Sequence, residues 1–411
     1  MSEALLVSVV LLAGWILVFM AWHHDRRLGA ALAIAYCARV VLAFTHKFVI
    51  ELPQGASDAR VFDATALAWS EQGCFAFFYH FDPAASYVYS ALLSSVYGCF
   101  GYSELAAQLI NCVIGTATVA VVAATAKEVW GRRVGGYVAF AAALFPALIL
   151  YSALTLREAA ITFFLSVGLL YAAREAKSRR LVPKLGALSF LLLAAILHGA
   201  MIMAAIGYLV FLLIRRLSAG STADRSAAAS GLLVLLVALP TVFSLYLFSE
   251  QIFIPKLGLI GELDTETVAS VLESRAQGDA AYLTGMDVST PVDVLWQAPI
   301  RVAYLLFAPF PWNVSSPTHL LGLIDGLVYL YLILQLRRNW ARLKTNPCFW
   351  PILTIVIVLA VVFAFGTSNF GTGMRHRAKF ALGIILITAP CLVPGGIRST
   401  RANFGQGRKH D

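Results

Sequence analysis

Three short stretches of this 411-residue chain carry side chains suited to chemistry. The first, SDARVFDATALAW (57–69), sets Asp58, Arg60 and Asp63 within six positions, and Asp82-Pro83 follows. The second, YSALTLREAA (151–160), places Arg157 and Glu158 side by side. The third, TSNFGTGMRHRAKF (367–380), reads as a turn in which Gly371 and Gly373 precede Arg375, His376, Arg377 and Lys379. Acids in one stretch can take a proton from a hydroxyl. Arginines in another can hold a phosphate, and glycines ahead of them allow backbone amides to approach it.

Each stretch also has a plainer reading. Ser57 or Asp58 can cap an amphipathic helix that lays Val61, Phe62, Ala66 and Trp69 on the membrane, with Asp63 turned to solvent or standing behind Asp58. A cap and a catalytic base are compatible, because the cap fixes a carboxylate at the edge of a cavity. Arg157 can be a helix-end charge reaching for the interface, and the basic turn can be drawn to lipid headgroups. His198, Arg301, Arg39 and Asp325 are lone polar groups in apolar surroundings, and a structural partner explains such groups as well as a reaction does.

The elements that must position these residues are membrane helices. Sixty percent of the residues are hydrophobic and 13% charged, against about 25% charged in soluble domains; mean hydropathy is +0.78. Apolar runs approach the length that crosses a bilayer over 4–22, 29–49, 105–126, 135–152, 158–173, 185–197, 199–215, 229–248, 318–336, 349–366 and 377–393. Residues 84–101 and 299–311 read as helices lying on the outer surface. The fold expected is an all-α polytopic bundle of about 11–13 membrane segments with outward juxtamembrane helices. The first segment has no basic residue before it and no small-residue cleavage site, and is read as a retained anchor.

The net charge of +9 does not point to nucleic acid, because most of the 31 lysines and arginines lie in short clusters between apolar runs. Clusters at 26–27, 127–133, 174–184, 215–225, 337–344 and 398–409 follow the positive-inside rule and face the cytoplasm. The acidic stretches then face outward. One membrane domain covers 1–394, with a first outward loop at 51–104 and a second at 249–299, and 395–411 forms a basic cytoplasmic tail. Cys74 and Cys99 share the first loop; unpaired packing is the reading preferred for them. No GxGxxG, P-loop, HExxH or CxxC occurs.

In order, SDARVFDATALAWSEQG, FDPAASYVYSALLSSVYGCFG and ELAAQLINCVIGTATVAVVAATAKEVWGRRVGGYVAFAAALFPALILYSALTLREA resemble the polytopic GT-C glycosyltransferases. The group nearest in flavour is family-39-like and includes protein O-mannosyltransferases and lipid A aminoarabinose transferases. The resemblance covers about residues 55 to 215 and includes Val129-Trp130-Gly131-Arg132-Arg133. APFPW (308–312) and GMRHRAKF (373–380) resemble bacterial polysaccharide-biosynthesis membrane proteins. The chain departs from the family in having two apolar segments before the loop and a single proline after Asp82.

The resemblance implies hexosyl or pentosyl transfer from a polyprenyl-phosphate-linked donor to a glycan, lipid or protein acceptor, at the periplasmic side of a bacterial inner membrane among its lipids. Asp58 and Asp82 map onto the family's acids, which act as bases or as ligands of a divalent cation, Mg or Mn. Arg375, Arg377 and Arg157 are expected to bind the donor phosphate, with Asp63, Glu158, His198, His376 and Arg301 in support. The alternatives are a polymerase of polysaccharide repeat units, a transporter or flippase of lipid-linked sugars, and a purely structural membrane subunit.

Overall fold

The computed structural model describes residues 2–53, 55–83, 86–218, 253–254, 258–259, 281–283, 286 and 291–394. Apart from a two-residue antiparallel ladder, β1 (Phe253–Ile254) with β2 (Gly258–Leu259), the described elements are helices and turns. The expected segment 229–248, the acids of the second loop and the tail 395–411 lie outside the described residues.

Two long helices open the chain, α1 (Glu3–His24) and α2 (Arg26–Phe48). Ser2 caps the first and Asp25 the second, each accepting from backbone amides of the next turn. The polar loop holds α3 (Arg60–Trp69), α4 (Ala76–His80) and α5 (Val88–Phe100). Then come α6 (Glu104–Trp130), α7 (Arg132–Ala143), α8 (Pro146–Ser152), α9 (Glu158–Ser178), α10 (Leu181–Leu197) and α11 (Ile202–Ser218). The last group is α12 (Pro291–Phe307), α13 (Pro317–Leu343), α14 (Phe349–Phe365) and α15 (Phe370–Thr388).

Among the described residues six helices are long and apolar enough to cross a membrane, and seven spans result if α7 and α8, bent by 59° at Leu144-Phe145, count as one. The expected segment 229–248 lies outside the described residues, and the other expected segments absent from this set are of two kinds. Helices α10 and α14 are apolar but only 17 residues long, about 26 Å at 1.5 Å per residue. Helix α15 starts seven residues before the apolar run at 377–393, so it carries four basic side chains inside it. The stretch 367–380 is therefore mostly helix and not the turn expected. Asn369 caps it through the amide of Gly371.

Polar contacts divide the bundle into two ends. At one, Arg132 reaches Asp25 at 3.4 Å, Arg174 reaches Glu128 at 2.9 Å, and Arg215 pairs with Glu175 at 2.7 Å. These residues come from the basic clusters, which α-helical runs of differing length have brought to the same level. At the other, Ser103 donates to Glu3 at 2.9 Å, and Lys47 meets Glu104 at 2.6 Å. Between the ends the core is built by close approach of small residues. A Cβ on Gly14 would fall 2.1 Å from the Tyr36 ring, so glycine there lets α1 and α2 touch.

The first loop is tied down at that second end. A disulfide joins Cys74 to Cys99, correcting the preference for unpaired cysteines. The irregular turn 70–75 brings Cys74 against α5, where Gly98 leaves room: a Cβ there would sit 2.2 Å from the Gly73 carbonyl oxygen.

Candidate active site

Helix α15 presents Arg375 and Lys379 four residues apart, hence on one face. That face meets Glu158, the first residue of α9. Arg375 Nε donates to Glu158 Oε1 at 2.5 Å, and Lys379 Nζ lies 3.3 Å from the same oxygen. Arg375 also donates through Nη1 to Asp58 Oδ2. Glu158 thus ties the start of one helix to the middle of another, and Asp58 adds the first loop to the same knot.

Asp58 arrives there on an irregular turn, Gly55–Ala59, that precedes α3. The cap position of α3 is Ala59 and makes no side-chain cap bond; the expected cap by Ser57 or Asp58 is replaced by the ion pair. His46 supports the approach to the turn by accepting from the Leu52 amide at 3.0 Å. The exposure is graded: the Asp58 side chain is 44% accessible, Arg375 7% and Glu158 2%. A carboxylate stands at the rim and the cations stand behind it.

Arg157 lines the same region without pairing to its neighbour Glu158. Its Nη1 donates to the carbonyls of Ser86 and Leu197 at 2.9 and 3.0 Å, and its guanidinium rests 5.2 Å from the Phe62 ring. His198, in the break between α10 and α11, lies 6.0 Å from the His376 ring, and His376 Nδ1 is 2.7 Å from Thr367 Oγ1. Several buried atoms here make no hydrogen bond: Arg157 Nε, Glu158 Oε2 and His198 Nδ1, while Lys379 Nζ has only its ion pair with Glu158. A buried site with three cations, two carboxylates and unused donors is suited to an anion.

Other expectations are corrected. Arg377 does not join Arg375, because residues two apart on a helix point to nearly opposite sides. Its guanidinium is fully buried, donating to Asp325 at 2.7 Å and to the carbonyls of Leu306, Ala308 and Gly322 at 3.0, 2.7 and 2.7 Å. Arg377 and Asp325 bolt α15 to α13 and to the end of α12. Arg39 is likewise structural, donating to Ser152 Oγ at 2.8 Å and to the Ala35 carbonyl at 2.9 Å. Arg301 bonds Gln297 at 2.9 Å and the Met286 carbonyl at 2.6 Å, and packs on Phe365.

Asp63 is buried and faces neither solvent nor Asp58's partner. It accepts from Tyr97 and, at 2.8 Å, from Tyr102. Burial raises its pKa above the ordinary carboxylate value, and the two tyrosine bonds offset only part of that. Asp82 is exposed in the stretch between α4 and α5; the ion-paired cluster forms around Asp58 instead.

Asp58 faces a guanidinium, and among the described residues no group of three or more His, Cys, Asp or Glu side chains is placed to hold a metal. Lys379, one of the four basic residues of the third stretch, joins the cluster although it was not expected to bind phosphate. Its signal was the four-residue spacing from Arg375, visible once 370–388 is read as helix.

No family model matches the chain, and no curated protein or solved structure is significantly similar to it.

Proposed function

We propose that this membrane protein transfers a sugar from a polyprenyl-phosphate-linked donor to an acceptor hydroxyl, with inversion at the anomeric carbon. The observation that carries the reading is the Asp58–Arg375–Glu158–Lys379 cluster: an accessible carboxylate held directly on a buried guanidinium. Sugar transfer from a phosphate needs both charges in one place. The resemblance to GT-C glycosyltransferases in the first loop supports the same reading.

The donor phosphate competes with Asp58 for Arg375. When it takes the guanidinium, with Lys379 and Arg157 close behind, Asp58 loses its counter-ion and becomes a better base. The acceptor hydroxyl then gives its proton to Asp58 as its oxygen attacks the anomeric carbon. The bond from that carbon to the phosphate oxygen breaks, and its electron pair leaves with the phosphate. Arg375 and Lys379 meet the charge that develops there, and because burial holds them in place they need no reorganisation.

We place the site on the outer side of a bacterial inner membrane. Two features support that side: the basic clusters gather at the opposite end of the bundle, and the loop bearing Asp58 carries a disulfide, which persists in oxidising compartments. The test is an in vitro assay with purified protein and a polyprenyl-phosphate-linked sugar. Asp58→Asn in folded protein is expected to lose transfer; full activity in that variant would remove Asp58 from the chemistry.

A further inference from the structure

At the end of the bundle opposite Asp58, the turns between α1 and α2 and between α6 and α7 border an open cavity of about 1070 Å³. Its lining includes Arg26, Arg27, Arg132 and Arg133 against a single acid, Asp25. Asp25 cannot neutralise them. Its carboxylate already accepts from the amides of Arg27 and Leu28 at 2.9 and 3.4 Å, and Arg132 reaches it only at 3.4 Å. Arg133 spends one donor on the Pro394 carbonyl at 3.2 Å, and the Arg132 side chain is 75% accessible.

Helix α7 begins at the cavity with Gly131 in its cap position and no side-chain cap bond, which leaves its first amides without a side-chain acceptor. The cavity wall is also partly apolar. Trp22 and Tyr137 line it, 46% and 37% exposed, and Phe19 and Met20 continue the exposed surface along α1. Aromatic side chains beside arginines at the end of membrane helices mark the headgroup level of a bilayer.

From this arrangement we infer that the cavity is a binding site for the phosphate of an anionic phospholipid, with the headgroup among the four arginines and the acyl chains along Trp22 and α1. A soluble phosphate would use the same arginines but would gain nothing from the apolar wall. The site lies at the far end of α2 from Asp58, about 34 Å along a 23-residue helix, and does not depend on the proposed transfer reaction.

The test is lipid retention by the purified full-length protein in native mass spectrometry, from micelles doped with equal amounts of phosphatidylglycerol and phosphatidylcholine. Phosphatidylglycerol is expected to be retained preferentially. Arg132→Gln and Arg133→Gln should each weaken that retention about fivefold, the usual worth of one arginine at an anionic surface. Gly136→Leu offers a steric variant with charge unchanged: a Cβ there meets only Arg27 Cδ, at 3.9 Å, so a larger side chain enters the cavity. It should also lower retention while leaving the melting temperature near that of the parent. Equal retention of the two lipids by the unmodified protein, or full retention by Gly136→Leu, would overturn the site. Displacement of phosphatidylglycerol by millimolar inorganic phosphate would overturn the lipid as its occupant.

Discussion

Two arginines two positions apart divide the work of α15 between them. Arg375 faces Asp58 and Glu158, while Arg377 is enclosed by Asp325 and backbone carbonyls. Substitutions should separate these roles. Arg377→Ala leaves Asp325 charged and buried, and is expected to cost about 3–5 kcal/mol of stability, seen as lost yield and a lower melting temperature. The paired change Arg377→Met with Asp325→Leu should recover only the part of that loss due to the uncompensated charge, because the carbonyls of Leu306, Ala308 and Gly322 still lose their donor. Arg375→Gln should instead leave the fold able to form and raise the apparent Kd for a polyprenyl phosphate, measured by competition in the transfer assay. Which arginine does which job was not legible while 367–380 was read as a turn, since a turn lets both converge and a helix forbids it. Asp58 was legible because two acids and an arginine interrupt an apolar run; its guanidinium partner, 317 residues away, was not.

The elements of the first loop are held by different means, and each makes a prediction. Alkylation of the unreduced, denatured protein should label the four free cysteines, Cys37, Cys112, Cys348 and Cys391, and leave Cys74 and Cys99 unlabelled until a reductant is added. Labelling of six before reduction would contradict the pairing. Asp63 lies on α3 between Tyr97 and Tyr102, and its pKa is raised chiefly by burial. Folding therefore favours its protonated form. That contribution is complete below the ordinary carboxylate pKa and is lost as pH rises through the raised folded value. Asp63→Asn, which cannot titrate, should flatten the fall in melting temperature over that window; an unchanged pH profile would exclude Asp63 as its source. The sequence pattern revealed α3 and α5 but neither α4 nor the disulfide, because two cysteines 25 residues apart specify no distance in space.

For the molecule as a whole, composition alone placed the chain in a membrane, and six apolar helices of sufficient length among the described residues bear this out. Charge clustering predicted which loops share a level, and the ion pairs among Asp25, Arg132, Glu128, Arg174, Glu175 and Arg215 follow that division. The bounds of the individual helices were not legible. Apolar runs do not reveal where a helix ends, and α15 combines a charged first half with an apolar second half. Its charge was attributed to a loop, yet it is the helix that completes the proposed site.

If the donor phosphate takes Arg375 from Asp58 and so frees the carboxylate to act, Asp58→Asn should show it in steady-state transfer kinetics with a polyprenyl-phosphate-linked sugar. The expected kcat falls by about 10²–10⁴, the usual contribution of a general base. The donor KM should be equal to or below the parent's, because Arg375 no longer has a competing carboxylate. An unchanged kcat, or a loss confined to donor KM, would rule this exchange out.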